Sequence, residues 1–303
     1  MKKVIIITGP TASGKTAVSV ELAKKINAEI ISADSMQIYS EMQVGTARPF
    51  PEEMQGIPHH LMGFVSPDAH YSTAQYKADA EALIEDIISR GKTPMIVGGT
   101  GLYINSLTYD IDFSAPEADL SRREELSREY DEKGADYMHA LLTEKDPEAA
   151  ARIHKNDKVR VIRAIEIAEK GGRKEYNFRK PSEKYDFSIF AVTKPREKLY
   201  SDINRRVDIM FEMGLEKEAR SLYDNYGEDI QAFAAIGYKE FIPYFKGEID
   251  LPAVSEAIKL NTRRYAKRQL TWLRPDERIN WINVAEFDCI SSILCDIMKK
   301  IDG

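Results

Sequence analysis

The segment Gly9–Thr16, GPTASGKT, constrains this chain more than any other feature, because it matches GxxxxGK[ST] at every fixed position. It follows the aliphatic run Lys3–Thr8 and precedes apolar residues at helical spacing from Ala17 to Ile26, so the pattern predicts a strand, a loop and a helix. In such a P-loop, glycines let backbone N–H groups turn inward, and the helix N-terminus adds positive partial charge. The motif therefore predicts a polyphosphate site.

The P-loop residues divide the binding task by their chemistry. We expect Lys15 to supply a positive charge to a terminal phosphate and the hydroxyl of Thr16 to bind Mg²⁺. Most P-loop proteins use a nucleoside triphosphate, so a kinase or NTPase is the first alternative. The predicted phosphate-binding residues are Gly9, Pro10, Thr11, Ala12, Ser13, Gly14, Lys15 and Thr16.

Strand and helix patterns alternate along the chain and predict an α/β fold, a P-loop NTPase-like parallel sheet flanked by helices. Ser72–Gln75 is a capping box for a helix that ends near Ser89. Besides 3–8, strands are expected at 30–31, 94–97, 187–193 and 279–284, and later helices at 197–226, 231–246, 252–274 and 286–300.

The middle of the chain differs in composition and predicts an inserted helical domain. Residues 117–148 hold eleven acidic and five basic residues, whereas residues 152–180 hold ten basic and four acidic ones. We therefore expect a catalytic core from 1–112 and 187–303, with a helical insertion domain at 113–186.

Composition excludes several classes of protein. No apolar run approaches the 18 residues of a membrane span, and the aliphatic start stops at Gly9-Pro10 without a signal-peptide cleavage site. Two cysteines are too few for a disulfide scaffold, which indicates a reducing, cytoplasmic setting, and a monomer is expected. The net charge of −6 does not favour nucleic acid, although a local basic surface is compatible with it.

Asp34 is the one aspartate that ends an apolar strand, and that strand comes immediately after the P-loop helix. It is expected at the carboxyl edge of the sheet beside the phosphate loop. Three roles are open for it there: a Mg²⁺ ligand, a base for the acceptor, or a helix cap for the segment that starts at Ser35. The strand at 94–97 ends in Gly-Gly-Thr where a nucleotide hydrolase has an aspartate, and NKxD is absent, so a GTPase is disfavoured.

An ordered set of short motifs resembles the tRNA dimethylallyltransferase family, also called tRNA isopentenyltransferase. It spans nearly the whole chain in the family's order. The segments are Gly9–Thr16, Asp34–Tyr39, Val44–Ala47, Pro58–Leu61, Gly98–Tyr103, Arg152–His154, Asn156-Asp157, Arg205–Asp208, Ile236–Tyr238 and Lys267–Arg274.

The resemblance implies that a dimethylallyl group moves from dimethylallyl diphosphate to the exocyclic amine of adenine at tRNA position 37. Asp34 would accept the amine proton, and the P-loop and Mg²⁺ would stabilise the leaving diphosphate. It also implies catalytic roles for Thr100 and for Arg206 as a diphosphate clamp, although Arg206 beside Arg205 and Asp208 also suits a solvated helix.

The tRNA partner needs a basic surface. Residues 259–274 contain six basic and no acidic residues, and Arg264, Lys267, Arg268 and Thr271 share a helical face. A solvated amphipathic helix is the alternative. The residues expected to contact tRNA, most of them by resemblance, are Asp34, Ser35, Met36, Gln37, Thr100, Arg123, Val159, Arg160, Arg163, Gly237, Lys239, Arg264, Lys267, Arg268 and Arg274.

Three other functions compete with this interpretation. An adenylate isopentenyltransferase would prenylate free nucleotides and have little use for the basic regions. A small-molecule P-loop kinase would consume ATP. An RNA-binding module with a nucleotide switch would bind tRNA and modify nothing.

Overall fold

The chain forms two compact units. The computed structural model describes residues 2–111, 119–171 and 180–302. One unit, here the core unit, is built from Met1–Thr108 and Ser182–Gly303, and the other, the insertion unit, from Tyr109–Pro181. The insertion expected from the sequence, 113–186, starts four and ends five residues farther along the chain.

A parallel sheet forms the centre of the core unit. In the described residues it has six strands in the order β3-β2-β4-β1-β5-β6, and every neighbouring pair is parallel. The expected parallel sheet is confirmed. The structure adds the edge strand β3, which the sequence did not predict because two residues are too few to show a strand periodicity. The strands are β1 (Lys3–Thr8), β2 (Ala28–Ala33), β3 (His59–His60), β4 (Thr93–Gly98), β5 (Asp186–Thr193) and β6 (Ile279–Asn283).

Helices flank the sheet, and none in the described residues combines the length and apolar character that a membrane crossing requires. The first four, and those from α8 onward, belong to the core unit. In chain order the helices are α1 (Lys15–Ile26), α2 (Pro51–Met54), α3 (Thr73–Ser89), α4 (Gly101–Thr108), α5 (Leu120–Lys145), α6 (Pro147–Arg152), α7 (Lys158–Glu169), α8 (Arg196–Glu212), α9 (Leu215–Tyr226), α10 (Ile242–Phe245), α11 (Leu251–Leu273) and α12 (Ile290–Asp302).

Both faces of the sheet are buried, which explains why its strands read as continuous apolar runs. Along β1, Val4 and Ile6 join one apolar cluster with residues of α3, α4, α8 and α9. Ile5 and Ile7 point to the other face and join a second cluster with α1 and α12. The alternation of a strand thus places successive residues in two separate cores.

Local hydrogen bonds set the starts of two long helices, one of them as predicted. The Ser72 hydroxyl accepts a hydrogen bond from the N–H of Gln75, and Gln75 Oε1 accepts one from the N–H of Ser72, so the capping box that opens α3 is confirmed. The carboxylate of Asp250 caps α11 by accepting from the N–H of Ala253.

Three helix predictions are wrong in extent. The helix expected at 197–226 breaks at Gly214, whose φ of 94° ends α8 and starts α9. The helix expected at 231–246 is instead two 3-10 turns followed by α10, because Gly237 has a φ of 98° and Pro243 lacks a backbone donor. The last helix starts at Ile290 and not at 286, after a 3-10 turn.

The insertion unit is helical in its described residues, as its composition predicts, and contains α5, α6 and α7. Its own apolar cluster includes Leu126, Met138 and Ile165. Gly134, with φ 84° and ψ 169°, interrupts α5.

Candidate active site

The P-loop connects β1 to α1 at the carboxyl edge of the sheet. Gly9 has a φ of 137°, and a Cβ there would lie 2.1 Å from the carbonyl oxygen of Val192 in β5, so only glycine fits. Gly14 and Ala12 also have positive φ, 101° and 62°. These angles turn the loop tightly before α1 begins at Lys15, as a phosphate-binding loop requires.

Lys15 and Arg206 are two of the four lysine and arginine residues that line one cavity at this loop. Lys15 Nζ donates to the carbonyls of Gly9 at 3.0 Å and Pro10 at 2.8 Å. Arg206, from α8, makes no hydrogen bond or ion pair within the described part of the chain. Burial lowers the pKa of Lys15 to about 8, with the positive charge of Arg206 acting in the same direction and Asp34 opposing it. A bound polyanion would stabilise this arrangement.

Asp34 follows β2 and lines the same cavity. Its Oδ1 accepts hydrogen bonds from the N–H groups of Met36 at 2.9 Å and Gln37 at 3.3 Å, and no described residue donates to Oδ2. Burial raises the pKa of Asp34, while these N–H groups and Lys15 oppose the increase. The capping and base interpretations are therefore compatible, since they use different oxygens.

Thr100 holds the start of the segment that contains Asp34. Its Oγ1 accepts from the N–H of Ser35 at 3.0 Å, and its own N–H donates to the carbonyl of Ala33 at 3.0 Å. The structure thus places Thr100 beside Asp34 through backbone contacts. Thr100 itself does not line the cavity, although the preceding Gly98 and Gly99 do.

The cavity has a volume of about 350 Å³ and one apolar wall. Ile203, Val207 and Met210 come from one face of α8, and Ile258 comes from α11. A volume of this size is typical of small-ligand sites. The predicted site residues that line it are Thr11, Lys15, Thr16, Asp34, Ser35, Met36, Gln37, Arg206, Gly237, Lys239 and Arg268.

Besides Arg268, the helix α11 lines the cavity with residues that the sequence analysis did not assign to the site, among them Gln269 and Tyr265. Gln269 is buried, and its Nε2 donates to the carbonyl of Gly99 at 3.0 Å. A Cβ on Gly99 would lie 2.2 Å from that nitrogen, so the helix and the end of β4 are in close contact. Tyr265 interacts with Thr100, and burial raises its pKa with a further contribution from Asp34.

The exposed face of α11 carries the predicted basic residues. Arg264, Lys267 and Arg268 are exposed, and none of them forms an ion pair within the described residues. By contrast, Lys259 pairs with Asp208 at 2.7 Å and is already neutralised. Arg274, at the end of the helix, is exposed as well, and so is Trp272, with 42% of its surface accessible.

The segment 234–239 contributes a glycine and a lysine to the cavity wall. The N–H of Gly237 donates to the buried carboxylate of Glu240 at 2.8 Å. Lys239 is exposed and has no ion-pair partner among the described residues. The charge of Lys239 is therefore available to an anionic ligand.

In the insertion unit the predicted tRNA contacts separate into two groups. Arg123 and Arg163 each lie 2.7 Å from a carboxylate oxygen of Glu166, which is only 1% exposed. The charges of Arg123 and Arg163 are thus partly neutralised by Glu166 inside the insertion unit. Val159 is 78% exposed and Arg160 is exposed near Asp157, so both are accessible. Residues 172–179 of the predicted basic region lie outside the described residues.

Comparison with known proteins identifies the family. The family model described as IPP transferase matches residues 37–276. A tRNA dimethylallyltransferase of Acetivibrio thermocellus is 47% identical over 97% of this chain and 96% of its own length. This chain belongs to the IPP transferase family.

Solved structures agree with the assignment to the IPP transferases. A tRNA isopentenylpyrophosphate transferase of Bacillus halodurans is 42% identical, with a TM-score of 0.76, and the match covers 100% of this chain and 97% of that one. A eukaryotic dimethylallyltransferase acting on tRNA is 33% identical, with a TM-score of 0.83 over 97% of this chain and 78% of that one. A second family model, isopentenyl transferase, matches residues 2–62, which include the P-loop and Asp34.

The oxygen ligands available in the cavity of this IPP transferase suit a magnesium ion that is held mainly by the bound substrate. No cluster of three or more histidine, cysteine or carboxylate side chains able to hold a metal occurs in the described residues. The cavity offers the hydroxyl of Thr16, and the P-loop adds the buried hydroxyl of Ser13, which has no hydrogen-bond partner in the described residues. Mg²⁺ prefers oxygen ligands and is usually held by few protein groups together with phosphates and water.

Proposed function

We propose that this IPP transferase transfers a dimethylallyl group from dimethylallyl diphosphate to the exocyclic amine of adenine at position 37 of a tRNA and releases diphosphate. The observation that carries the proposal is the placement of Asp34 in one cavity with the cations Lys15 and Arg206. In a member of this family, that combination supplies a base for the acceptor and an anion site for the donor.

The donor fits the division of the cavity into a charged and an apolar side. The diphosphate would lie against the P-loop N–H groups and the charges of Lys15 and Arg206. Its dimethylallyl chain would lie against the apolar wall formed by Ile203, Val207 and Met210 of α8. Burial of an uncharged branched chain on that wall gives a favourable hydrophobic contribution.

The reaction forms one carbon–nitrogen bond, breaks one carbon–oxygen bond and transfers one proton. The exocyclic nitrogen of adenine attacks the first carbon of the dimethylallyl group, and the bond from that carbon to the diphosphate oxygen breaks. Its electron pair leaves on the diphosphate, where the P-loop N–H groups, Lys15 and Arg206 stabilise the developing charge. The proton of the amine moves to Oδ2 of Asp34.

Asp34 suits the role of base because its pKa is raised by burial. An adenine amine is a poor nucleophile, since its lone pair is delocalised into the ring. A carboxylate with increased proton affinity both orients the amine and accepts its proton as the new bond forms. Mg²⁺, which the Thr16 hydroxyl would hold, neutralises diphosphate charge when bound.

The tRNA would bind through the exposed basic face of α11 and the cavity-lining residues Ser35, Met36, Gln37, Gly237 and Lys239. The unpaired charges of Arg264 and Lys267 support contacts with the phosphate backbone. We also propose that the insertion unit contacts tRNA through its exposed residues Val159 and Arg160. To reach Asp34, the target base must leave its stack.

The test is mass analysis of nucleosides from tRNA incubated with the protein, dimethylallyl diphosphate and Mg²⁺. The expected result is one dimethylallyl group on adenosine at position 37 and stoichiometric diphosphate. Parallel reactions replace tRNA with AMP, or the donor with ATP. Prenylated AMP with unmodified tRNA, or ATP consumption with a phosphorylated product, would overturn the proposal, and so would tRNA binding without modification.

A further inference from the structure

The carboxylate of Glu218 on α9 binds the backbone of a loop that is distant from it in the sequence. Glu218 accepts hydrogen bonds from three successive N–H groups, those of Gln43 at 3.0 Å, Val44 at 2.8 Å and Gly45 at 2.9 Å. A fourth comes from the hydroxyl of Tyr238 at 2.6 Å. Charge-assisted bonds of this kind are stronger than neutral ones and fix the geometry of their donors. We call residues 43–48 the Gly45 loop.

The Gly45 loop packs directly against the segment 234–239. A Cβ on Gly45 would lie 2.6 Å from the ring of Tyr238, which is fully buried. Gly237 also approaches the loop, since a Cβ there would be 3.4 Å from the carbonyl oxygen of Gly45. Glu218 therefore holds two segments together: one through its backbone, the other through a tyrosine hydroxyl.

Both segments line the cavity, and Gly237 and Lys239 are among the residues proposed above to contact tRNA. The Gly45 loop lines it with Gly45, Thr46 and Ala47, and the other segment lines it with residues that include Gly237 and Lys239.

The loop also holds Gln37, whose Nε2 donates to the carbonyls of Thr46 and Ala47, each at 3.2 Å. The N–H of Gln37 in turn donates to Oδ1 of Asp34 at 3.3 Å. Hydrogen bonds, linked through the covalent backbone of the Gly45 loop and through Gln37 itself, thus connect Glu218 to Asp34.

We propose that Glu218 is a positioning residue that holds the Gly45 loop and Tyr238 so that Gln37 and Asp34 are oriented for the incoming base. The proposal rests on the function proposed above, because it assigns the acceptor side of the same site. In the described residues, no hydrogen bond of Glu218 reaches the P-loop. Glu218 is therefore expected to act on acceptor chemistry and not on binding of the diphosphate.

A second carboxylate on α9, that of Glu216, provides a control that separates this role from a structural one. The hydroxyl of Tyr244 donates to Oε1 of Glu216 at 2.9 Å, so the chemistry resembles that of Tyr238 and Glu218. Both carboxylates are half-buried, whereas Tyr238 is buried and Tyr244 is half-buried. Neither Glu216 nor Tyr244 lines the cavity. Glu216→Gln is the control for Glu218→Gln, because each replaces one carboxylate oxygen by an amide group.

The experiment measures kcat, the KM of each substrate and the affinity for inorganic diphosphate, with thermal unfolding to report the folded fraction. In Glu218→Gln the new amide group faces backbone donors, so the loop shifts. We expect kcat to fall about 10- to 100-fold, the effect of misplacing a reacting group, and the KM for tRNA to rise. Diphosphate affinity should remain at the wild-type value, and Glu216→Gln should leave all four quantities unchanged.

A pH profile supplies a readout that a loss of stability does not move. The N–H of Gln37 lowers the pKa of Asp34, so weakening that bond should shift the acid limb of kcat to higher pH in Glu218→Gln only. If Glu218→Gln does not fold, Tyr238→Phe tests the same point, since it keeps the ring and removes one donor, with Tyr244→Phe as its control. We expect Tyr238→Phe to lower kcat and shift the limb, with diphosphate affinity retained.

Two outcomes would overturn the proposal. The first is that Glu218→Gln and Tyr238→Phe match their controls in kcat, KM and pH profile after correction for the folded fraction. The second is an equal loss of diphosphate affinity, which indicates a general collapse of the site. A wild-type protein that does not prenylate tRNA would refute the proposed function itself, so the two failures are distinct.

Discussion

Gln269 in α11 accepts a hydrogen bond from the backbone N–H of Thr11 in the P-loop, with 2.8 Å between Oε1 and the nitrogen. The other end of the same amide donates to the carbonyl of Gly99, at the end of β4. One buried side chain therefore joins the phosphate loop, the sheet edge next to Thr100 and the helix whose exposed face carries Arg264 and Lys267. The P-loop, which would bind the prenyl donor, and the proposed tRNA surface of α11 are therefore connected through Gln269.

Replacing Gln269 with leucine should loosen the P-loop. The substitution keeps a side chain of similar size but leaves the N–H of Thr11 and the carbonyl of Gly99 without partners. Each buried unsatisfied group costs about 1–3 kcal/mol of unfolding free energy. We expect a lower denaturation midpoint and a raised KM for dimethylallyl diphosphate, measured by urea unfolding and steady-state kinetics.

Gln231→Leu is the control, because Gln231 is an exposed amide that also makes a side-chain hydrogen bond, to His70. Its stability and donor KM should stay near the wild-type values. Equal losses in the two variants would show that the contact between Gln269 and Thr11 has no special role.

Asp34→Asn should separate proton acceptance from capping. Asparagine retains an oxygen for the N–H groups of Met36 and Gln37 but cannot accept the amine proton. General-base catalysis contributes about 10²- to 10⁴-fold, so turnover should fall within that range. Single-turnover prenylation and a tRNA binding assay measure the two effects, and tRNA affinity should stay close to wild type.

Asp250→Asn controls for capping, since Asp250 accepts from the N–H of Ala253 at the start of α11 and does not line the cavity. The Asp250→Asn variant should retain the wild-type turnover rate. An active Asp34→Asn enzyme that no longer binds tRNA would contradict the base role.

The predictable parts of the site are those that the chain encodes locally. The P-loop is a contiguous motif, and Asp34 follows an apolar run, so neither needs a distant partner to be found. Gln269 and Glu218 are different, because their most distant hydrogen-bond partners lie 258 and 175 residues away in the sequence. No periodicity or spacing connects such positions, and only the folded chain brings them together.

Other differences arise from the partners that particular side chains and N–H groups have in the folded chain. Arg123 and Arg163 have the residue type for phosphate contacts, yet both point to the buried Glu166. The segment 231–246 has apolar residues at helical spacing, but Gly237 is left-handed and donates its N–H to Glu240. Glu166 is 43 residues from Arg123 but only three from Arg163, and Glu240 is three residues from Gly237. Specific contacts at both long and short range therefore override the expected role or the local preference.

The rate should depend on pH in two opposing ways. Burial raises the pKa of Asp34, and only the ionised carboxylate accepts a proton, so kcat/KM should rise as pH increases through that pKa. Burial and Arg206 lower the pKa of Lys15 to about 8, so the charge that attracts the diphosphate is lost as pH rises above this value. A bell-shaped profile with its alkaline limb near pH 8 is expected in the free enzyme.

Lys15→Arg identifies the alkaline limb, because arginine remains charged at any pH in the assay. The variant should keep the acid limb and lose the fall above about pH 8, even if its rate is lower throughout. A profile with an unchanged alkaline limb in Lys15→Arg would assign that limb to another group.

Neutralising Arg264 and Lys267 together should weaken tRNA binding and make it less sensitive to salt. Each phosphate contact contributes about 0.7–0.9 to the slope of log K against log salt concentration, so the double glutamine variant should lose about 1.5 from that slope. Filter binding of tRNA at several salt concentrations measures it, and single-turnover rates at saturating tRNA should change little, because neither side chain lines the cavity. Lys259→Gln, on the same helix but paired with Asp208, should leave the slope unaltered. If the double variant kept the wild-type slope, this face of α11 would not follow the phosphate backbone.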